Sequence, residues 1–298
     1  MNLKNIGESG LIKQIKKSVK TSSSVIKGIG DDCAVVAFSK TKYMLLTCDM
    51  LIENVDFKIN DSPFWIGHKS LACSISDIAS MGGLPKYALV SLGLPKDLSA
   101  TFLRQLYRGI NRLAGKFHID IVGGDISKAG RLTIDISMVG FVEKIYLTLR
   151  SNAKVNDIIF ITGELGAAPF GRHLTFMPRL KEARYLVENY KINAMIDISD
   201  GLLKDLSHIL EESSRGASIY QWLIPLYRKQ DNFLKAISRG EDFELLFTSS
   251  AKEAGRLIAS GKRIYTAIGQ ILPKDYGLRL INGCFKEEKV KPLGFLHF

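Results

Sequence analysis

The chain has 298 residues, 46% of them hydrophobic and 24% charged, a composition of soluble globular enzymes with one large domain or two ordinary ones. No apolar run approaches bilayer-crossing length, the N-terminus leads into a mixed segment rather than a signal-peptide core, and the cysteines at 33, 48, 73 and 284 lack paired spacing. These features argue against a membrane span, a zinc site and a disulfide framework, and for a reducing cytoplasm. The net charge of +11 is scattered along the chain rather than gathered with aromatics, which favours phosphorylated metabolites over nucleic acid as partners.

Residues 8–19 have the spacing of a short amphipathic helix, and a polar break at 21–24 precedes Gly28-Ile29-Gly30-Asp31-Asp32. That motif reads as a turn delivering acids to the mouth of a strand. A buried strand at 43–48 is predicted to end at Asp49. Ser62-Pro63 then opens a helix running to about Met81, stopped by Gly82-Gly83, with Asp77 near its end among apolar residues. A strand at 87–94, a helix capped by Ser99 and carrying Phe102 to Phe117 as one stripe, and a short strand at 119–122 lead into Gly123-Gly124-Asp125. Residues 132–142 alternate as a half-buried strand.

A polar, basic seam at 144–156 separates the halves, 1–148 and 149–298. The second half brings a strand at 157–162 ending in Gly163-x-x-Gly166, a charged helix at 178–193 and a strand at 194–198. A helix from Gly201, a strand at 243–248, a helix at 251–260 and a strand at 263–271 follow. Both halves mix strands and helices, so the expected fold is α/β (α+β) with two domains. Gly163-x-x-Gly166 reads as a plain turn or a weak phosphate loop.

Acids recur at Asp32, Asp49, Asp77, Asp125, Asp197 and Asp200, most at the ends of apolar segments and beside glycine, serine or threonine. Carboxylates contributed by several segments suit magnesium, which takes oxygen ligands and keeps substrate phosphates and water in its shell. The same residues also cap helices and turns, and no Walker A loop, kinase glycine loop or nucleophile elbow accompanies them.

Taken in order, several motifs resemble those of the thiamine-monophosphate kinase family of the aminoimidazole-ribonucleotide-synthetase-like (PurM-like) superfamily. They are Gly-Ile-Gly-Asp-Asp at 28–32, Thr-Cys-Asp-Met-Leu-Ile-Glu at 47–53, Ser-Asp-Ile-Ala-Ser-Met-Gly at 76–82 and Gly-Gly-Asp at 123–125. Leu-Arg-Ser-Asn-Ala-Lys at 149–154, Ile-Asp-Ile-Ser-Asp-Gly-Leu at 196–202, Gly-Glu-Asp-Phe-Glu-Leu at 240–245 and the terminal Gly-Phe-Leu-His-Phe complete the series.

The resemblance implies ATP- and magnesium-dependent phosphorylation of thiamine monophosphate to thiamine diphosphate. It also implies an N-terminal domain that binds ATP and metal and pairs its sheet in a homodimer, followed by a C-terminal α/β domain. Several magnesium ions would be held by Asp32, Thr47, Cys48, Asp49, Asp77, Asp125, Asp197 and Asp200, with Cys48 acting through its backbone because a thiol is a poor magnesium ligand. Asp49, Asp77, Asp125 and Asp200 would be catalytic. Gly124, Asp125, Arg150, Ser199 and Tyr107 would touch the nucleotide, and Glu241 and Phe295 the thiamine moiety.

The chain departs from the family pattern at Asp56, a substrate-side position where a histidine is usual. It also departs at Ile126 after Gly-Gly-Asp, at Ala167-Ala168, and in a shortened stretch from Pro178 to Met195. Another ATP-using PurM-like activity, of the aminoimidazole ribonucleotide synthetase or hydrogenase-maturation type, and a non-catalytic nucleotide-binding relative are the alternatives.

Overall fold

The computed structural model describes residues 3–228 and 232–295. Its first half contains α1 (Leu3–Ser18), β1 (Val25–Lys27), β2 (Ala34–Ala37), β3 (Lys42–Ile52), α2 (Pro63–Ser80), β4 (Leu84–Leu94), α3 (Ala100–Phe117), β5 (Asp120–Lys128) and β6 (Thr133–Glu143). The strands form one sheet in the order β1-β2-β3-β6-β4-β5. All its pairs are antiparallel except β4 with β5, which α3 connects as a βαβ crossover. Ser99 caps α3 as expected, its side chain accepting from the Phe102 amide. Ser62 does not cap α2; Pro63 opens that helix without a side-chain bond.

The second half contains β7 (Ile158–Thr162), α4 (Arg172–Thr175), α5 (Leu180–Asn189), β8 (Ile192–Asp197), α6 (Leu202–Ser213) and β9 (Gly216–Tyr220). It continues with α7 (Phe233–Ser238), β10 (Leu245–Ser249), α8 (Ala251–Ala259), β11 (Tyr265–Leu272), β12 (Leu278–Ile281) and β13 (Glu287–Lys289). These strands form a second sheet in the order β13-β12-β9-β11-β7-β10-β8. β7, β8 and β10 are apolar on both faces because both are covered. Phe160, Met195 and Phe247 face a core shared with the first half, and Ile159, Ile161, Ile196 and Leu246 a second core with Leu203, Leu206 and Ile209 of α6.

α2 organises the molecule. It is buried almost all round, packing on β3 and β6 of its own half and on α4, α5 and β8 of the other. A helix buried on every side should be apolar on every side, yet α2 carries His68, Lys69, Ser70, Ser74, Ser76, Asp77 and Ser80. Apart from Asp77, which is partly buried, all of these are buried, and each polar group must therefore find a partner inside the protein.

Candidate active site

β3 alternates, so Leu45, Thr47, Asp49 and Leu51 point at α2 while Leu46, Cys48 and Met50 face outward. Asp49 lies in mid-strand, because β3 continues to Ile52 rather than ending at 48. The Ser74 hydroxyl donates to Asp49 Oδ2 at 2.7 Å, and the Thr47 hydroxyl donates to Asp77 Oδ2. Ser80 donates to Asp32 Oδ2, and Ser76 to Asp197 Oδ2 at 2.6 Å. The serines of α2 thus orient acids from the 28–32 turn, β3 and β8.

Carboxylate oxygens of Asp32, Asp77 and Asp197 lie within 4.8 Å of one another. Burial and the neighbouring charge of Asp32 push Asp197 up to about 8, and burial with Asp49 and Asp197 nearby holds Asp77 well above the ordinary carboxylate range. Burial likewise lifts Asp49 to about 6. Arg150 offsets the cluster: it donates through Nη2 to Asp32, while its buried Nε, 3.9 Å from Asp31 Oδ1, has no hydrogen-bond partner among the described residues. Burial works to lower the Arg150 pKa, but Asp32 beside it prevails and raises it. Asp31 has a fully buried carboxylate facing the Arg150 amide at 3.3 Å and the Lys27 ammonium at 3.7 Å, so it anchors the seam as well as the turn.

The other expected residues are distributed around this centre. Asp200 lies just beyond β8, pairing with Lys204 at 2.7 Å, and its amide donates to the buried Asp205. Asp49, Asp56, Ser199, Asp200, Glu241 and Phe295 share the wall of a cavity of about 200 Å³. Asp56 does not simply face a ligand: its Oδ2 accepts from the Ile52 amide at 2.7 Å, closing the turn after β3.

Gly124, Asp125 and Cys48 are not gathered with the buried acids. β5 runs on through Gly123-Gly124-Asp125 instead of ending before it, and Asp125 pairs in register with the outward-facing Ser91. Its side chain, exposed and accepting from Ser127 at 3.1 Å, is on the opposite face of the first sheet. Gly124 has φ 155° and its Cα approaches β4 so closely that a Cβ would lie 1.8 Å from the Val90 carbonyl oxygen. Tyr107 is half-buried on α3 against the shared core.

A family described as AIR synthase related protein, N-terminal domain, matches residues 30–142. The thiamine-monophosphate kinase of Bacillus subtilis (strain 168) is 36% identical over 275 residues, which cover 83% of this chain and 84% of that one. That of Buchnera aphidicola subsp. Acyrthosiphon pisum is 34% identical over 320 residues, 96% of this chain and 97% of its own. The chain belongs to the thiamine-monophosphate kinase family. A solved structure of AaThiL complexed with AMPPCP and TMP superposes with a TM-score of 0.87 at 32% identity, covering 100% of this chain and 99% of that one. The PurM-like two-sheet α/β fold is therefore that of the kinase family.

Sequence reasoning missed several residues around the kinase-family motifs. The orienting serines carry one signal, hydroxyls recurring through an otherwise apolar helix. Lys69 carries another, a lysine in that same helix, buried in the structure with 2% of its side chain exposed. Gly163-x-x-Gly166 is the plain turn rather than a phosphate loop, since the amides of Gly166 and Ala167 donate to Asp242 Oδ1 at 2.9 and 3.2 Å.

Proposed function

We propose that this chain transfers the γ-phosphoryl group of ATP to the phosphate of thiamine monophosphate, giving thiamine diphosphate and ADP, with magnesium. The observation that carries the reading is the convergence of Asp32, Asp77 and Asp197 within 4.8 Å, beside Arg150, in a chain of this family. Magnesium fits that donor set. The three groups are all carboxylates without thiol or imidazole, and the raised pKa values of Asp77 and Asp197 mark a negative charge that a divalent cation relieves. Asp32, Asp77 and Asp197, with Asp49 and the Thr47 hydroxyl, would hold it; Asp200 and the backbone at Cys48 extend the set. When bound, magnesium neutralises phosphate charge and acts as a template for donor and acceptor oxygens.

The chain's own groups do the positioning. Phosphoryl transfer needs alignment and charge neutralisation more than covalent help, and the acceptor phosphate is already ionised at neutral pH. Ser74, Ser76 and Ser80 fix the carboxylates they donate to, so the acids do not have to reorganise when the phosphates arrive. Arg150 brings a planar, permanently charged fork whose Nε makes no hydrogen bond among the described residues. The cavity walled by Glu241, Phe243 and Phe295 is the acceptor side in this reading, and Ser199 lines it from the segment just after β8.

We further propose that two copies pair through the outer face of the first sheet. Leu46, Tyr87, Leu89 and Val122 line an exposed apolar groove of about 590 Å³ there, together with Cys48 and Val139. Apolar surface of this kind on one sheet face favours burial against a second copy. Gly124 and Asp125 lie on the strand beside that groove and would then meet the nucleotide across the subunit boundary. The division at 148/149 belongs to the same reading, each part contributing one sheet while α2 and its core join them. No helix among the described residues is long and apolar enough to cross a membrane.

The activity is tested by incubating the purified protein with ATP, magnesium and thiamine monophosphate and separating the products. Thiamine diphosphate and ADP in equal amounts are expected. Metal-dependent ATP binding without thiamine diphosphate would refute the acceptor assignment.

A further inference from the structure

Two segments wall the proposed acceptor cavity, the turn after β3 that contains Asp56 and the loop 240–243 that precedes β10. They come from opposite halves of the molecule. The loop is held in an unusual backbone: Gly240 has φ 78°, Glu241 φ 61° and Phe243 φ 49°, the last two without the freedom of glycine. Left-handed backbone at two non-glycine positions only two residues apart persists only when surrounding contacts impose it. The Glu241 amide donates to the Ser199 carbonyl at 2.7 Å and the Phe243 amide to the Ile198 carbonyl at 2.8 Å, tying the loop to the end of β8. Phe243 stacks on Phe176 with ring centroids 4.0 Å apart.

The Glu241 side chain is anchored from the other half of the chain, by Lys69 of α2. The Lys69 ammonium donates to Glu241 Oε1 and, at 2.6 Å, to the Asp56 carbonyl oxygen, so one buried cation joins both cavity walls. A buried ammonium is expensive to desolvate and is kept in place only by such partners. A lysine that served packing alone could be replaced by an apolar side chain of similar length at no cost to binding.

We propose that Lys69 is a positioning residue for the acceptor: it fixes the Glu241 carboxylate and the 52–57 turn at the spacing that admits thiamine monophosphate. This rests on the acceptor assignment above. Lys69 acts through Glu241 and the Asp56 backbone rather than on the phosphates, so its loss alters the acceptor KM and leaves the nucleotide side intact.

The test is steady-state kinetics on the full-length protein with thiamine monophosphate and ATP varied separately, for Lys69→Met, Glu241→Gln and the double variant. Lys69→Met is expected to raise the KM for thiamine monophosphate at least about tenfold while the KM for ATP stays within about twofold. The double variant removes both charges, so no buried charge is left unpaired should Lys69→Met fail to fold. Its acceptor KM is expected to rise by less than the product of the two single-variant rises, because both single changes break the same Lys69–Glu241 contact. An unchanged acceptor KM in Lys69→Met, equal rises in both KM values, or additive effects in the double variant would each overturn the proposal. If the wild-type protein makes no thiamine diphosphate, the acceptor assignment itself fails, a result separate from any of these.

Discussion

Replacing Asp77 by Asn separates metal binding from folding, because the account predicts opposite effects on the two. The three carboxylates lie within 4.8 Å, and at an effective dielectric of about 20 two unit charges at that distance repel by about 3.5 kcal/mol. In the metal-free protein much of that cost is avoided by proton uptake, since burial and the neighbouring acids hold Asp77 well above the usual range and Asp197 near 8. The asparagine keeps an oxygen to accept from Thr47 and removes one charge. Metal-free Asp77→Asn should therefore be more stable than wild type at about pH 8 by about 1–2 kcal/mol, roughly 2–8 °C in Tm. The gain should fade toward about pH 5, where the acids are already protonated. Magnesium-dependent transfer should fall at least about 100-fold, the usual cost of losing one preorganised electrostatic contact. Thermal scans with and without chelator, paired with product assays, measure both. Full activity in Asp77→Asn, or a lower metal-free Tm at pH 8, would refute the reasoning.

The wild-type protein should show the same coupling as a pH profile. Asp49 near 6 and Asp197 near 8 have folded-state values raised above the unfolded one, so the native state binds more protons. Metal-free stability should accordingly be highest below about pH 4 as far as these groups go, and fall as pH rises through about 6 to 8; saturating magnesium should remove that fall. A metal-free Tm that rises across this window would contradict the burial of the acids. Gly124→Ala should lower stability by about 1–3 kcal/mol, since a Cβ there meets the Val90 carbonyl oxygen at 1.8 Å in a backbone that side chains rarely adopt; an unchanged melting curve would show that β5 can move. Leu89→Asp, on the exposed groove, should convert a dimer into a monomer in sedimentation velocity, and a wild-type protein that sediments as a monomer would end the pairing proposal.

Much of this site was legible because its residues have to be short acids beside turns and strand interiors. The motifs at 28–32, 47–49, 76–77 and 196–200 do surround one region, and α2 does end at Met81 before Gly82 turns to φ 72°. Pattern reading failed where the third dimension decides. β3 and β5 run on through Asp49 and through Gly124-Asp125, because ladder partners on β6 and β4 sustain strands past their polar residues. Which face Asp125 takes follows from that register, and no local composition reveals it.

Asp56 posed a similar problem. As a residue type it reads as an anion where a phosphate should dock, yet its carboxylate is bonded to the Ile52 amide within its own turn. Lys69 went unnoticed because lysine in a helix ordinarily marks the solvated face. Only the burial of α2 between the two sheets turns that lysine into an internal anchor.

The central claim is that the buried acids hold magnesium for transfer to a phosphate lodged against the 240–243 loop. A crystal structure of the protein with magnesium, a non-hydrolysable ATP analogue and thiamine monophosphate tests it most directly. The account predicts cations at about 2.0–2.1 Å from oxygens of Asp32, Asp77 and Asp197, with the donor and acceptor phosphates facing each other between them and Glu241 against the thiamine moiety. Nucleotide bound without metal contact to those three aspartates, or an acceptor lodged away from Glu241, would contradict it.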